Sequence, residues 1–176
     1  MGEFQHIYLT GYRGTGKTSV GKILSESLGH PLVDLDDEVE SKAGMTIREI
    51  FADGGETAFR DLETTCLETV ADQSECRKVV SLGGGAILRS ENRELIANSG
   101  TCIWLSASPE TIAERISTDA TTGDRRPALT EMGQMDEIRQ LLVQREPLYR
   151  DAANHRVDTT DKTIEQIADE IVTLLG

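Results

Sequence analysis

The sequence predicts an α/β fold, a three-layer sandwich in which a five-stranded parallel sheet carries helices on both faces. Three observations predict it. Short β-prone runs alternate with longer helical patterns from end to end. The helical patterns are long enough to serve as the crossovers that parallel strands require. A glycine-rich string, Gly11-Tyr12-Arg13-Gly14-Thr15-Gly16-Lys17-Thr18, stands between the first strand and the first helix. At 176 residues the chain has one domain's length and can bury roughly 70% of its unfolded surface, so an aliphatic core suffices although aromatics are only 4%.

Residues 4–10 read as the first strand, and 17–28, closed by Gly29, as the first helix. Residues 32–35 form the second strand, followed by an acidic helix start at Asp36-Asp37-Glu38. Thr46 and Glu49 make a capping box for a short helix ending near Gly54-Gly55, and a longer helix runs from about 56 to 72. Residues 78–82 are the third strand, ending in Gly83-Gly84-Gly85, and 101–105 the fourth. Ser108 and Pro109 open a helix through Ser117. Residues 118–130 are polar, rich in Thr, Asp and Arg, and read as a mobile loop. A helix to about Tyr149, a fifth strand around 156–158 and a last helix opened by Thr163 and Gln166 complete a single domain spanning 1–176.

Charge narrows the function classes. Lys and Arg number 18 against 31 Asp and Glu, a net charge of −13 that repels phosphate backbones and anionic lipid headgroups, so neither nucleic acid nor a membrane is the expected partner. Cys66, Cys76 and Cys102 fit neither a disulfide framework nor a zinc knuckle and read as reduced structural residues. No apolar run reaches signal or membrane-span length. A cytoplasmic monomer is the expectation.

The string from Gly11 to Thr18 matches G-x-x-x-x-G-K-[ST], for which a chance match in a chain this long is on the order of 1%. Its glycines let successive amides turn inward on an anion, Lys17 reaches the β- and γ-phosphates, and the Thr18 hydroxyl can ligate magnesium. The helix N-terminus adds positive potential. Nucleoside triphosphate binding follows, but not what is done with it. Neither N-K-x-D nor D-x-x-G of the switch GTPases occurs, and the third strand ends in Ser81-Leu82-Gly83 instead of an acid. The metal therefore needs a carboxylate from elsewhere.

Asp34 and Asp36 are the candidates. Spaced by two, they point to one side if the second strand continues through them; one could hold magnesium through water while the other accepts a proton from an attacking hydroxyl. The triple glycine lets a ligand lie against the backbone. Arg60 lies four residues after Glu56 and three before Glu63, so a helix pins its guanidinium between carboxylates. Arg125-Arg126-Pro127 sits in the mobile segment, and Arg145 precedes Glu146-Pro147-Leu148-Tyr149-Arg150.

Together these strings resemble the shikimate kinases over nearly the whole chain. The matches are Gly11 to Ser19, Asp34-Leu35-Asp36, Phe59-Arg60-Asp61-Leu62-Glu63, Ser81-Leu82-Gly83-Gly84-Gly85, Arg126-Pro127, Arg145 to Arg150 and Arg156-Val157-Asp158-Thr159. The resemblance implies a sheet in the order 2-3-1-4-5, a substrate-binding helical region at about 37–63 and a lid at about 118–130. It implies magnesium-dependent transfer of the ATP γ-phosphoryl group to the 3-hydroxyl of shikimate, on the route to chorismate and the aromatic amino acids. By position, Gly14, Thr15, Gly16, Lys17, Thr18, Ser19 and Arg126 would bind ATP, and Arg60, Gly84 and Arg145 would bind shikimate. Asp36 would bind the ring hydroxyls and act as base, with Lys17 and Arg126 also catalytic, and Thr18 and Asp34 would serve the metal.

Leu35, Ala128 and the acidic lid sequence 118–124 depart from the family pattern, and Asp161-Lys162 stand where relatives place a basic or polar side chain near adenine. Two other readings remain open at this point. One is a kinase of the same architecture acting on gluconate or a nucleoside monophosphate, and the other is a non-catalytic nucleotide-binding module.

Overall fold

The computed structural model describes residues 5–73, 75–119 and 133–176. Five strands, β1 (His6–Thr10), β2 (Leu32–Asp34), β3 (Val79–Ser81), β4 (Gly100–Ser106) and β5 (His155–Asp158), form one sheet in the order β2-β3-β1-β4-β5. Every pairing is parallel. The helices among the described residues are α1 (Lys17–Leu28), α2 (Leu35–Ala43), α3 (Ile47–Ala71), α4 (Ser90–Ser99), α5 (Pro109–Thr118), α6 (Gln134–Ala152) and α7 (Ile164–Leu175), with a 3-10 turn at Ala86–Leu88.

β1 is buried along its whole length because it is the central strand, and its alternating side chains feed both faces. Tyr8, Val80, Cys102 and Trp104 pack with Leu35, Phe59, Leu67 and Tyr149 on the face covered by α2, α3, α4 and α6. Ile7, Leu9, Val79, Ile103 and Val157 pack with Val20, Leu24, Ile167 and Ile171 of α1 and α7 on the other. Each such aliphatic side chain removed from water contributes about 2 kcal/mol. A third cluster, Tyr12 with Ile112, Ile116, Ile138 and Leu142, ties α5 and α6 to the loop after β1.

The strand order is the one the resemblance implied. The structure corrects the geometry expected of the two aspartates. β2 stops at Asp34, which caps α2 by accepting from the Asp36 amide at 3.0 Å. Asp36 therefore sits in the first turn of a helix, and Leu35 between them is wholly buried in the core. The capping box at Thr46 and Glu49 is present, and the helical run through 47–71 is broken at Gly55, where φ is 71° and ψ −170°. β3 is one residue shorter at each end than the apolar run suggested. α4 and the preceding 3-10 turn were not legible as elements. α4 opens on Arg89, with no side chain capping it.

His6 enters β1 with its ring buried, and its Nδ1 accepts the Lys78 amide at 3.2 Å. Burial first, then the positive charges of Lys78 and Arg77, hold its pKa below the ordinary 6.5, against the opposing pull of backbone hydrogen bonds at Val70 and Gln73. The unfolded chain thus binds the proton more tightly than the folded one. The stability His6 confers is complete above about pH 6.5 and is lost as pH falls through the folded value, at up to about 1.4 kcal/mol per pH unit. Melting temperatures from pH 7.5 to 5 check this: relative to the native chain, His6→Gln is expected to show a shallower decline.

Candidate active site

The phosphate loop begins where β1 ends. Gly11 has φ 144°, and a Cβ there would lie 2.3 Å from the Leu105 carbonyl oxygen of β4, so no other residue fits without moving the sheet. α1 opens on Gly16 with no side chain capping its first amides, which leaves those donors for an anion. Lys17 donates to the carbonyls of Gly11 at 2.8 Å and Tyr12 at 3.0 Å, so its ammonium is held inside the loop. Thr15 donates to the Tyr12 carbonyl at 2.7 Å and stiffens the same turn.

Thr18 and Ser19, both exposed, face the opening of this loop. The Thr18 hydroxyl donates to Asp34 Oδ2 at 2.8 Å and lies 3.3 Å from the Ser81 hydroxyl at the end of β3. Burial raises the Asp34 pKa, the Thr18 hydrogen bond opposes the rise, and the charges of Asp36 and Asp37 add to it. Such a carboxylate gains from a cation close by. Among the described residues no cluster of three or more His, Cys, Asp or Glu forms a metal cage. One carboxylate and one or two hydroxyls suit a hard cation that keeps waters and takes its remaining ligands from phosphate oxygens.

Arg60 and Arg145 come from α3 and α6, and both are 7% exposed. Arg60 Nη1 donates to the wholly buried Glu63 at 2.6 Å, and its Nε reaches Glu56 at 3.4 Å, the two contacts that the helical spacing requires. Arg145 lies over the Tyr12 ring, 5.8 Å from its centroid, and among the described residues it forms no ion pair. Two adjacent glycines bring the guanidinium groups to one place. A Cβ on Gly84 would lie 3.7 Å from Arg145 Nη1, and one on Gly85 would lie 2.3 Å from Arg60 Nη2. Neighbouring Cα atoms are about 3.8 Å apart, so both cations face the same short stretch of backbone.

Gly85 has φ −107°, which alanine adopts freely, so Gly85→Ala acts on Arg60 and not on the backbone. If Arg60 binds an acceptor, the expected result is a roughly tenfold or larger rise in acceptor KM, with a lower melting temperature to the extent that the displaced guanidinium loses its 2.6 Å contact with the buried Glu63. Steady-state kinetics beside a thermal melt check it.

A cleft of about 1390 Å³ runs from Asp34 and Asp36, past Lys17 and Gly84, to Arg115 and Ile164. Small-molecule sites usually occupy about 300–1,000 Å³, so this one has room for more than a single ligand. Arg60 and Arg145 are not part of its lining; Arg145 stands near Gly84, which lines it, and Arg60 against the next residue, Gly85, which does not. At the far end Arg115 is held by the Thr159 hydroxyl and carbonyl, both at 2.9 Å, next to Ile116, Ile164 and Ile167. No motif flagged Arg115; its place after β4 and the apolar residues opening α7 were the available signals. Lys162 lines the same end and pairs with Glu170 at 2.6 Å, and Asp161 has φ 58°. Arg13 pairs with the buried Glu137 of α6 at 3.8 Å. Arg126 lies outside the described residues.

A parallel sheet in this order, with the phosphate loop between β1 and α1 and a carboxylate pair at the end of β2, defines a P-loop nucleotide-binding fold of the phosphotransferase type. The family model for shikimate kinase matches residues 13–176. The chain belongs to the shikimate kinase family. A shikimate kinase from Rhodopirellula baltica is 48% identical over 168 residues, covering 96% of this chain and 89% of that protein. The structure of the Acinetobacter baumannii shikimate kinase in complex with shikimate superposes with a TM-score of 0.89 at 35% identity, covering 98% of this chain and 93% of that one. A gluconokinase from Sinorhizobium meliloti shares the fold alone, at 16% identity and a TM-score of 0.55 over 96% of this chain and 90% of that one.

Proposed function

We propose that the chain is an ATP-dependent shikimate kinase, moving the γ-phosphoryl group of ATP to the 3-hydroxyl of shikimate. The observation that carries this reading is the pair of nearly buried guanidinium groups at Gly84 and Gly85, one of them with no ion pair among the described residues. A buried cation is costly unless an anion meets it, and two planar forks suit a carboxylate. Shikimate in the A. baumannii complex supplies such a carboxylate. The fold shared with a gluconokinase carries no weight on substrate.

In this reading the helical region 37–63 supplies Arg60, and Arg145 joins it, so that the acceptor carboxylate is anchored away from the phosphates. The ring hydroxyls then reach Asp36 in the first turn of α2. Asp36 takes the hydroxyl proton as the new oxygen–phosphorus bond forms and the bond from γ-phosphorus to the β,γ-bridging oxygen breaks. Gly14, Thr15, Gly16, Lys17, Thr18 and Ser19 cradle the phosphates, and Lys17 exchanges its loop carbonyls for phosphate oxygens. Thr18 would hold magnesium directly and Asp34 through water; magnesium, when bound, neutralises charge on the β- and γ-phosphates. The lid expected at about 118–130 and the nucleotide-binding role expected of Arg126 fall on a stretch of which 120–132 lie outside the described residues. Arg115 and the apolar start of α7 offer the base a planar and apolar surface.

A coupled ADP-release assay with magnesium and a panel of acceptors tests the reading. Turnover with shikimate, and at least about a hundredfold lower kcat/KM with gluconate or nucleoside monophosphates, is expected. No turnover at millimolar shikimate, or a preference for another acceptor, contradicts it.

A further inference from the structure

We propose that Tyr149 is a positioning residue for acceptor binding: its hydroxyl ties the 83–85 loop to α6 and thereby sets where Arg60 and Arg145 meet the acceptor. The inference rests on the assignment of those arginines to the acceptor carboxylate.

Tyr149 is wholly buried, and its ring stacks on Trp104 of β4 with centroids 5.8 Å apart and planes 24° apart. Phenylalanine would fill that space as well. A buried phenol needs a partner, and here the hydroxyl donates to the Gly84 carbonyl at 2.5 Å. A Cβ on Gly84 would lie 3.3 Å from the Gly11 carbonyl oxygen, 3.4 Å from the Arg13 amide nitrogen and 3.7 Å from Arg145 Nη1, and its neighbour Gly85 lies against the Arg60 guanidinium. Tyr149 also follows Arg145 by four residues on α6, so the two side chains share one helix face a turn apart. One hydrogen bond thus joins the helix that presents Arg145 to the backbone on which both cations rest.

Apart from the Leu82 amide donating to the Leu9 carbonyl at 3.0 Å and the packing of Gly84 on the backbone of Gly11 and Arg13, few contacts hold the loop in register. Three successive glycines contribute no side chains, and the turn bonds from Ala86 to Gly83 and from Leu88 to Gly85, at 3.1 Å each, are internal to it. Asn92 Nδ2 donates to Ala86 O at 2.9 Å and Arg93 Nη1 to Ile87 O at 2.8 Å, which fasten the stretch after the glycines to α4. The Tyr149 bond fastens the glycines themselves, from the side of α6.

Tyr149→Phe keeps the ring and its stack on Trp104, a thermal melt checks its fold, and isothermal titration calorimetry reads acceptor Kd. The expected result is a roughly tenfold rise in acceptor Kd and KM, with kcat and nucleotide KM changed by less than about twofold. A lower melting temperature with unchanged acceptor Kd and KM would overturn the proposal and leave Tyr149 a packing residue. A double-mutant cycle separates it from the site reading. If Tyr149 acts through the two arginines, its effect on acceptor Kd is clearly smaller in an Arg145→Ala background, the remainder passing through Arg60. An equal effect in both backgrounds overturns the positioning role. An Arg145→Ala variant with native acceptor Kd overturns the site reading and this inference with it.

Discussion

Arg60→Ala and Arg145→Ala are each expected to raise the acceptor KM by at least about a hundredfold while nucleotide KM stays within a few fold, because each removes a charge-assisted bidentate contact to the acceptor alone. Stability distinguishes the two. Arg60 is the 2.6 Å partner of Glu63, whose side chain has no solvent exposure, and removing a buried ion's partner costs about 3–5 kcal/mol. Arg145 has no ion pair to break among the described residues, so its replacement relieves a buried charge and leaves the melting temperature near the native value. Steady-state kinetics with both substrates varied, beside thermal melts, check the pair. Equal losses of acceptor and nucleotide affinity would contradict the carboxylate assignment.

Asp36→Asn is expected to lower kcat by about 10²- to 10⁴-fold with both KM values little changed, since asparagine hydrogen-bonds a hydroxyl but cannot take its proton. Phosphoryl transfer through a loose transition state asks less of a base than of positioning, so a loss near the low end still fits the role. The variant keeps the first turn of α2 intact, because the cap is the Asp34 side chain accepting the Asp36 amide. An unchanged kcat would remove Asp36 from proton transfer without touching the acceptor assignment.

The sequence-level reading succeeded where local chemistry determines local structure. The phosphate loop, the box at Thr46 and Glu49, and the contacts of Arg60 with Glu56 and Glu63 follow from short-range spacing. It misjudged Asp34 and Asp36 because period-two logic holds only while a strand continues, and Asp34 turns the chain into α2 by capping it. The strand order was legible only through resemblance to a family, since nothing in β3's Val79-Val80-Ser81 says that it lies between β2 and β1.

The parts of the site that stayed hidden depend on long-range approach. Gly85 matters because Arg60, 25 positions earlier, lies on it, and Tyr149 because its hydroxyl reaches a carbonyl 65 residues away. The net charge of −13 argued against nucleic acid and membranes as partners, yet it says nothing of Lys17, Arg60 and Arg145, each 9% exposed or less. The acidity belongs to the surface, and the cations proposed to bind anions are withdrawn from it.

The most direct test of the account is a crystal structure of the protein with shikimate and ADP. The account predicts the shikimate carboxylate between Arg60 and Arg145, beside Gly84, with the 3-hydroxyl within hydrogen-bond reach of Asp36 and turned toward the phosphate loop. A carboxylate bound elsewhere, with the two guanidinium groups contacting only protein, would contradict it.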